Sequence, residues 1–255
     1  MIGDRDEFTG EFTGIVLGGG RSSRFGRDKL AEPFGGEPLL WRPIRAVASV
    51  CREVVLVLAP EVSIPDLPPE VAPIVRVAHD PEPFGGPLVG LAAGLAAATG
   101  RWAVVVAGDQ PGLRWELLGF LAQTIAASRR ASNPGVAGDS PGGRVRDSWR
   151  AALPDSPRAA ALPDSGAALP DSPRAAALRD EAGVTRPLPC ALDREAALAQ
   201  AGSLLASGER RLRALLAALD VAAIPEEAWR PFDPAAGWTR DIDVPNDVLP
   251  ADQLD

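Results

Sequence analysis

Short apolar runs alternate with longer amphipathic segments through the first half of the chain. The short runs are rich in Val and Ile and have the length and composition of buried parallel strands. The longer segments between them carry apolar residues at helical spacing. Together they predict a doubly wound α/β fold, with a mostly parallel sheet and helices on both faces. The predicted strands are 14–19, 53–60, 74–80 and 102–109, and the predicted helices are 38–50, 87–100 and 115–128.

This alternation stops after residue 132. Residues 150–180 repeat a unit of the form Ala-Ala-Leu-Pro-Asp-Ser-Pro, in which proline returns too often for a helix. Proline, aspartate and serine also disfavour strands. We therefore predict a flexible low-complexity insertion at about 133–185.

Helical spacing returns at residues 193–221 and predicts two amphipathic helices separated at Ser207-Gly208. The serine, followed by Gly and Glu, predicts an N-cap and a first-turn acid at the start of the second helix. A short alternating run then closes the chain at 237–250. Ordered structure is thus expected on both sides of the insertion.

Composition limits the classes of function. The 255 residues carry a formal net charge of -8 at pH 7. This charge argues against a general nucleic-acid-binding protein, because phosphate backbones are bound by basic faces. Any anionic ligand must therefore meet a local group of cations. No run approaches about 18 apolar residues, and the first residues are acidic and polar, so we expect a cytoplasmic protein without a membrane partner.

The cysteines offer little chemistry. Cys51 and Cys190 are the only two in the chain, lie far apart in the sequence, and have neither a CxxC pattern nor a neighbouring histidine. This arrangement predicts two small buried thiols rather than a zinc site.

The stretch 14–30, GIVLGGGRSSRFGRDKL, places consecutive glycines and several cations directly after a predicted strand. It lacks the Gly-Lys-Ser/Thr of a Walker loop and the third glycine of the dinucleotide fingerprint. Successive backbone N–H groups in such a loop nevertheless form a positively polarised nest for anions. An exposed arginine-rich turn is the alternative interpretation. The cations are Arg21, Arg24, Arg27 and Lys29, which is the one lysine of the chain.

Within this stretch, residues 16–29 resemble the L-A-G-G-x-S-x-R-M-G-x-D-K signature of the nucleotidyltransferase superfamily, and most closely that of the molybdenum cofactor guanylyltransferases. Gly18 stands where the signature has Ala, and Phe25 where it has Met. Later segments resemble further motifs of the family in the same order, with Asp241 and Asp243 at positions where the family has Asn. These segments are 84–91 (FGGPLVGL), 107–111 (AGDQP), 186–192 with 207–216, and 241–247 (DIDVPND).

The resemblance implies a Rossmann-like nucleotidyltransferase fold in a single domain, 1–255, with a nucleotide-binding half at 12–132 and an acceptor-side half at 186–255. The implied reaction transfers GMP from GTP to the molybdopterin-bound molybdenum cofactor and releases pyrophosphate, with Mg²⁺ as cofactor. The implied partners are GTP, the molybdopterin cofactor, and a molybdoenzyme or chaperone that receives the product. The oligomeric state stays open.

The same resemblance assigns roles to individual residues. Lys29 and Arg24 are expected to act on the phosphates as catalytic cations. Asp109 is expected to act with them by binding Mg²⁺, at the sheet edge where open α/β folds bind ligands. Gly19 indicates guanine, because the cytidylyltransferases have Ala there, and His79 is expected to be structural. The implied nucleotide contacts are Leu17, Gly18, Gly19, Gly20, Lys29, Asp80 and Asp109, and the implied substrate contacts are Gly86, Pro87, Leu88, Arg210, Asp241 and Asp243.

Several alternatives stay open at this point. Three are enzymes of the same fold: a molybdopterin cytidylyltransferase, a phospholactate guanylyltransferase and a sugar-phosphate nucleotidyltransferase. A fourth comes from another class, a non-catalytic nucleotide-binding accessory protein. The presence of both Lys29 and Asp109 argues against this last alternative.

Overall fold

The computed structural model describes residues 11–19, 29–60, 62–83, 85–132 and 173–242. Most of the predicted site residues fall within these ranges. Gly20, Arg24 and Asp243 lie outside the described residues, as do residues 133–172 of the predicted insertion.

The described chain is organised around one seven-stranded sheet. Its strands are β1 (Phe12–Leu17), β4 (Glu53–Leu58), β5 (Val75–His79), β6 (Trp102–Ala107), β7 (Ala175–Arg179), β8 (Thr185–Asp193) and β9 (Val221–Ile224), while β2 (Pro33–Phe34) and β3 (Glu37–Pro38) pair with each other. In space the seven strands follow the order β5-β4-β1-β6-β8-β7-β9. Of these described strands only β8 runs against the others, so the predicted mostly parallel sheet is confirmed.

Helices cover both faces of this sheet. They are α1 (Trp41–Ala48), α2 (Pro87–Ala97), α3 (Trp115–Ser132), α4 (Arg194–Ala206), α5 (Leu212–Ala217) and α6 (Glu226–Trp229). One buried cluster joins the sheet to α1, α3 and α6, and a second joins it to α2, α4 and α5. The doubly wound prediction is therefore confirmed. No helix in the described part of the chain is both long and apolar enough to cross a bilayer.

Burial on both faces explains why the central strands β1, β4 and β6 are mostly apolar. In β4, Val54 and Leu56 belong to the cluster with α1 and α3, whereas Val55 and Val57 belong to the cluster with α2. All four side chains are essentially inaccessible to solvent. Because successive residues of a strand face opposite sides, a strand covered on both sides has no position left for a polar residue.

One part of the predicted insertion is wrong. Residues Ala175–Arg179 form β7, a strand between β8 and β9. The four residues from Ala175 to Leu178 are fully buried. This run contains no proline, and its alanines are small enough to pack between helices on both faces, so tertiary burial outweighs the weak strand propensity of alanine. The predicted boundary at about 185 therefore lies too far along the chain, because an ordered turn and β8 follow directly.

The prediction that Ser207 caps the second C-terminal helix is also wrong. Ser207 is the C-cap of α4, and its hydroxyl donates to the Leu204 carbonyl at 2.7 Å. Gly208 follows with a φ of 87°, in the left-handed region that favours glycine. The N–H groups of Gly208 and Glu209 donate to the carbonyls of Leu205 and Leu204, which is the Schellman arrangement of a helix end. The Ser-Gly-Glu sequence is thus a stop signal for α4.

The two cysteines are buried thiols, as predicted. Burial raises the pKa of Cys190 to about 12. Burial, together with the negative charge of Glu53, raises the pKa of Cys51 as well. Both thiols therefore stay protonated at neutral pH and serve as packing residues.

Candidate active site

The carboxyl ends of four parallel strands lie side by side at one edge of the sheet, in the order β5, β4, β1, β6. Backbone hydrogen bonds continue just past the strands. The N–H of Gly18 donates to Val57 at 2.8 Å, and the N–H of Gly108 donates to Leu17 at 3.0 Å. Three strand spacings of about 4.8 Å separate the outer two strands, so this edge extends over roughly 14 Å. An extended ligand such as a nucleotide can lie across it.

Lys29 and Asp109 meet at this edge. They are 80 residues apart in sequence, and Nζ of Lys29 lies 2.5 Å from Oδ2 of Asp109. Asp109 follows β6, while Lys29 begins a short 3-10 turn whose next residue, Leu30, is anchored in the core. The two side chains are 17% and 21% exposed, respectively. A ligand can therefore reach the pair, yet its charges are only partly screened by water.

The C-terminal segment completes the surroundings of this pair. The N–H of Ile242 donates to the carbonyl of Asp109 at 3.0 Å, and Nζ of Lys29 donates to the carbonyl of Ile242 at 3.2 Å. The Ile242 side chain is anchored in a small buried cluster with Phe34 and Leu39. The preceding residue, Asp241, is exposed and is joined to this contact through the backbone of Ile242. The structure thus brings Lys29 and Asp109 together and leads the C-terminal segment that carries Asp241 past them.

A second group of predicted residues lies around the end of β5. The N–H of Asp80 donates to Leu58 at 2.8 Å, so Asp80 belongs to the same sheet edge. Its Oδ1 accepts the N–H of Glu82 at 2.9 Å. Its Oδ2 is 3.6 Å from the position that a Cβ on Gly90 of α2 would occupy. The Asp80 carboxylate therefore lies between the sheet edge and the first turns of α2. His79, just before it, places a ring nitrogen 3.3 Å from the Val62 carbonyl.

The predicted substrate residues Leu88 and Arg210 contact each other. The N–H of Leu88 donates to the carbonyl of Arg210 at 3.1 Å, and the Leu88 side chain is fully buried. The Arg210 guanidinium donates to the carbonyls of Leu205 at 3.0 Å and Glu209 at 3.2 Å. Gly86 is the N-cap of α2, and Pro87 is its first residue. In this structure these residues join α2 to the C-terminal half of the chain.

Comparison with known proteins shows which family the chain belongs to. Residues 14–224 match the MobA-like NTP transferase domain. The chain belongs to this family. A probable molybdenum cofactor guanylyltransferase from Chloroflexus aggregans is 31% identical over 239 residues, which are 92% of this chain and 91% of the relative. A molybdenum cofactor guanylyltransferase from Xanthomonas euvesicatoria is 41% identical over 111 residues, which are 43% of this chain and 53% of that relative.

Solved structures of other proteins share this fold. Molybdopterin-guanine dinucleotide biosynthesis protein A from Archaeoglobus fulgidus superposes with a TM-score of 0.59 at 18% identity, covering 92% of this chain and 94% of that one. A 2-C-methyl-D-erythritol 4-phosphate cytidylyltransferase from Thermus thermophilus superposes with a TM-score of 0.52 at 14% identity, covering 92% and 94%. At these identities the likeness concerns the fold alone. The Rossmann-like nucleotidyltransferase fold is therefore confirmed.

Asp109 fits the Mg²⁺ that the family resemblance implies. Among the described residues, no three His, Cys, Asp or Glu side chains are grouped closely enough to form a complete metal site. Asp109 contributes a single carboxylate at the sheet edge. Mg²⁺ commonly binds through one or two carboxylates together with substrate phosphates and water. The donor set around Asp109 is of this kind.

Gln110 contributes to the site although the sequence analysis did not select it. Its Oε1 accepts the N–H of Ala107 at 3.2 Å, and its Nε2 donates to the carbonyl of Trp238 at 3.1 Å. The side chain is 4% exposed, so both ends of the amide are satisfied in a buried place. Gln110 thereby ties the loop that carries Asp109 to the C-terminal segment. A buried glutamine in a polar turn leaves no periodic signal that sequence reasoning could detect.

Proposed function

We propose that this chain transfers GMP from GTP to the terminal phosphate of molybdopterin carrying molybdenum, with release of pyrophosphate. Its membership of the MobA-like family and the names of its relatives support this function. The observation that carries it is the contact between Lys29 and Asp109 at the carboxyl edge of the sheet. A cation for phosphates and a carboxylate for a divalent ion are the two groups that nucleotidyl transfer most needs.

The proposed chemistry requires no nucleophilic side chain. An oxygen of the acceptor phosphate attacks the α-phosphorus of GTP, the bond from that phosphorus to the bridging oxygen of the β-phosphate breaks, and pyrophosphate leaves with the bonding electrons. Catalysis then rests on holding the reacting groups in line and offsetting their negative charge. In this proposal Lys29, Arg24 and the N–H groups of the glycine loop bind the phosphates. Mg²⁺, held by Asp109, supplies further charge stabilisation when bound.

The existing ion pair gives Lys29 a defined starting position. Its ammonium group is held by Oδ2 of Asp109 and by the Ile242 carbonyl. We propose that Lys29 exchanges the carboxylate for phosphate oxygens when a nucleotide binds. The flexible four-carbon stem of lysine permits this exchange without backbone movement. The same step makes the Asp109 carboxylate available to a cation.

The choice of guanine is proposed to depend on Gly19. A Cβ at this position would lie 3.5 Å from the backbone nitrogen of Ala59, which is an ordinary contact distance. The Gly19→Ala variant should therefore fold normally. The added methyl group would cover part of the surface between the ends of β1 and β4, beside the proposed nucleotide-binding loop. We therefore expect Gly19→Ala to change the base preference without changing the fold.

Thermal unfolding with added nucleotide tests this proposal. We expect GTP with Mg²⁺, at a hundredfold excess over its Kd, to raise the Tm of the wild type by about 5 °C. CTP at the same concentration should raise the Tm less, because its Kd is expected to be higher. In Gly19→Ala the advantage of GTP over CTP should shrink or reverse. Gly202→Ala is the matched control, because Gly202 is exposed on α4 and has open space around it. A larger shift with CTP than with GTP in the wild type would overturn the assignment of guanine.

A further inference from the structure

One side chain shapes the connection between α4 and α5. Oε1 of Glu209 accepts the backbone N–H of Arg210 at 2.8 Å and of Arg211 at 3.0 Å. It also accepts Nε of Arg211 at 2.8 Å, while Oε2 lies 2.5 Å from Nη2 of the same arginine. Arg211, the N-cap of α5, makes no side-chain cap of its own. Glu209 therefore determines the path of residues 209–211 between the two helices.

Glu209 keeps its negative charge over the pH range in which a protein is normally assayed. Hydrogen bonds from the Arg211 side chain, and from the backbone of Arg211 and Arg210, lower the pKa of Glu209 to about 2. The carboxylate is thus ionised at neutral pH, and its hydrogen bonds are charge-assisted.

The first turn of α2 rests on the backbone of this connection. Helix α2 has no side-chain cap, and the carbonyl of Arg210 takes its place by accepting the N–H of Leu88 at 3.1 Å. Gly86, with a φ of 94°, allows the close approach. A Cβ there would lie 3.0 Å from the Cβ of Arg210 and 3.3 Å from its carbonyl oxygen. The position of α2 therefore depends on where residue 210 is held.

The same connection reaches the turn that presents Asp80. Nη2 of Arg210 lies 3.7 Å from Oε2 of Glu82, and the N–H of Glu82 donates to Oδ1 of Asp80 at 2.9 Å. Asp80 is one of the nucleotide contacts that the family resemblance implies. A series of contacts thus leads from Glu209 through Arg210 and Glu82 to the Asp80 carboxylate, and a second leads from Arg210 to the first turn of α2, which lies beside that carboxylate.

We propose that Glu209 is a positioning residue, which holds the first turn of α2 and the Asp80 turn in the arrangement that binds the nucleotide. It acts through the carbonyl and the guanidinium of Arg210 and does not touch the substrate itself. This inference rests on the proposed function, because it needs a nucleotide beside Asp80. Since Asp80 is expected to contact the nucleotide in both the ground state and the transition state, loss of its positioning should weaken binding more than turnover.

Steady-state kinetics on the full chain test the proposal. Glu209→Ala should raise the KM for GTP about tenfold, as expected for coupling between residues in one contact network. Its kcat should stay within about twofold of the wild type, because the reacting groups are not altered. Glu209→Gln keeps a neutral acceptor of roughly half the strength and should raise the KM only about threefold. In hydrogen exchange, peptides containing Leu88 should lose protection in the alanine variant.

Glu195→Ala is the matched control, because Glu195 lies on α4 and its side chain is 85% exposed. If Glu209→Ala does not fold, the glutamine variant takes its place with the smaller expected change. If the Glu209 and Glu195 variants have equal KM values for GTP while the wild type turns over GTP, the role of Glu209 is contradicted but the proposed function is not. Absence of pyrophosphate release by the wild type contradicts the proposed function instead.

Discussion

Asp109→Asn is expected to slow pyrophosphate release from GTP by about a thousandfold, at the upper end of what removing one stabilising group costs an enzyme. Asparagine has nearly the shape of aspartate, so the backbone contact between residue 109 and Ile242 should persist. The amide lacks the negative charge that holds both Lys29 and a divalent ion. The loss should therefore appear in kcat, measured at saturating GTP and Mg²⁺ with molybdopterin present.

Two comparisons make this result specific. Asp220→Asn changes the charge equally at an exposed position before β9 and should leave kcat unchanged. Urea unfolding of the Asp109 variant should show a cooperative transition like that of the wild type. If Asp109→Asn keeps more than about a tenth of the wild-type kcat, Asp109 is not the metal-binding group. If the wild type binds GTP with Mg²⁺ but never releases pyrophosphate, the chain is a nucleotide-binding accessory protein.

Lys29→Met is expected to lower kcat/KM for GTP by about a hundredfold or more, in the range found when one group that stabilises transition-state charge is removed. Methionine matches the unbranched stem of lysine but carries no charge. Asp109 would also lose the ammonium group that lies 2.5 Å from it. The KM for GTP should rise together with the fall in kcat, because Lys29 is proposed to contact phosphates in both the ground state and the transition state.

Lys29→Arg separates charge from geometry, since a guanidinium keeps the charge but is larger and planar. It should recover part of the activity of the wild type. The control is Arg52→Met, an exposed cation immediately before β4 and therefore at the opposite edge of the sheet from the site. Unchanged kcat/KM in Lys29→Met would contradict the role assigned to Lys29.

The sequence could predict the layered fold because short apolar runs alternate clearly with segments of helical spacing. Strands such as Glu53–Leu58 and Trp102–Ala107 are uninterrupted apolar runs, and burial on both faces makes them so. The strand Ala175–Arg179 escaped prediction for the opposite reason. Its alanines resemble the repeat before it, and only their burial between two helix layers distinguishes them. The local sequence does not reveal burial that is caused by elements distant in the chain.

The candidate site was predictable only in part. Resemblance to a family pointed to Lys29 and Asp109, but nothing in either motif shows that the two side chains touch across 80 residues of sequence. The contact between Leu88 and Arg210 is of the same kind. Here a backbone carbonyl replaces the side-chain cap that sequence rules search for at the start of a helix. Such contacts form only in the assembled fold and produce no signal in the local sequence.

Release of pyrophosphate by the purified wild-type protein tests the central claim most directly. The measurement compares GTP with CTP, each with Mg²⁺, in the presence and absence of molybdenum-loaded molybdopterin. We predict release from GTP that requires the acceptor, and much slower release from CTP under the same conditions. Release from CTP that equals or exceeds release from GTP, or release from GTP that is equally fast without the acceptor, would contradict a guanylyl transfer to molybdopterin.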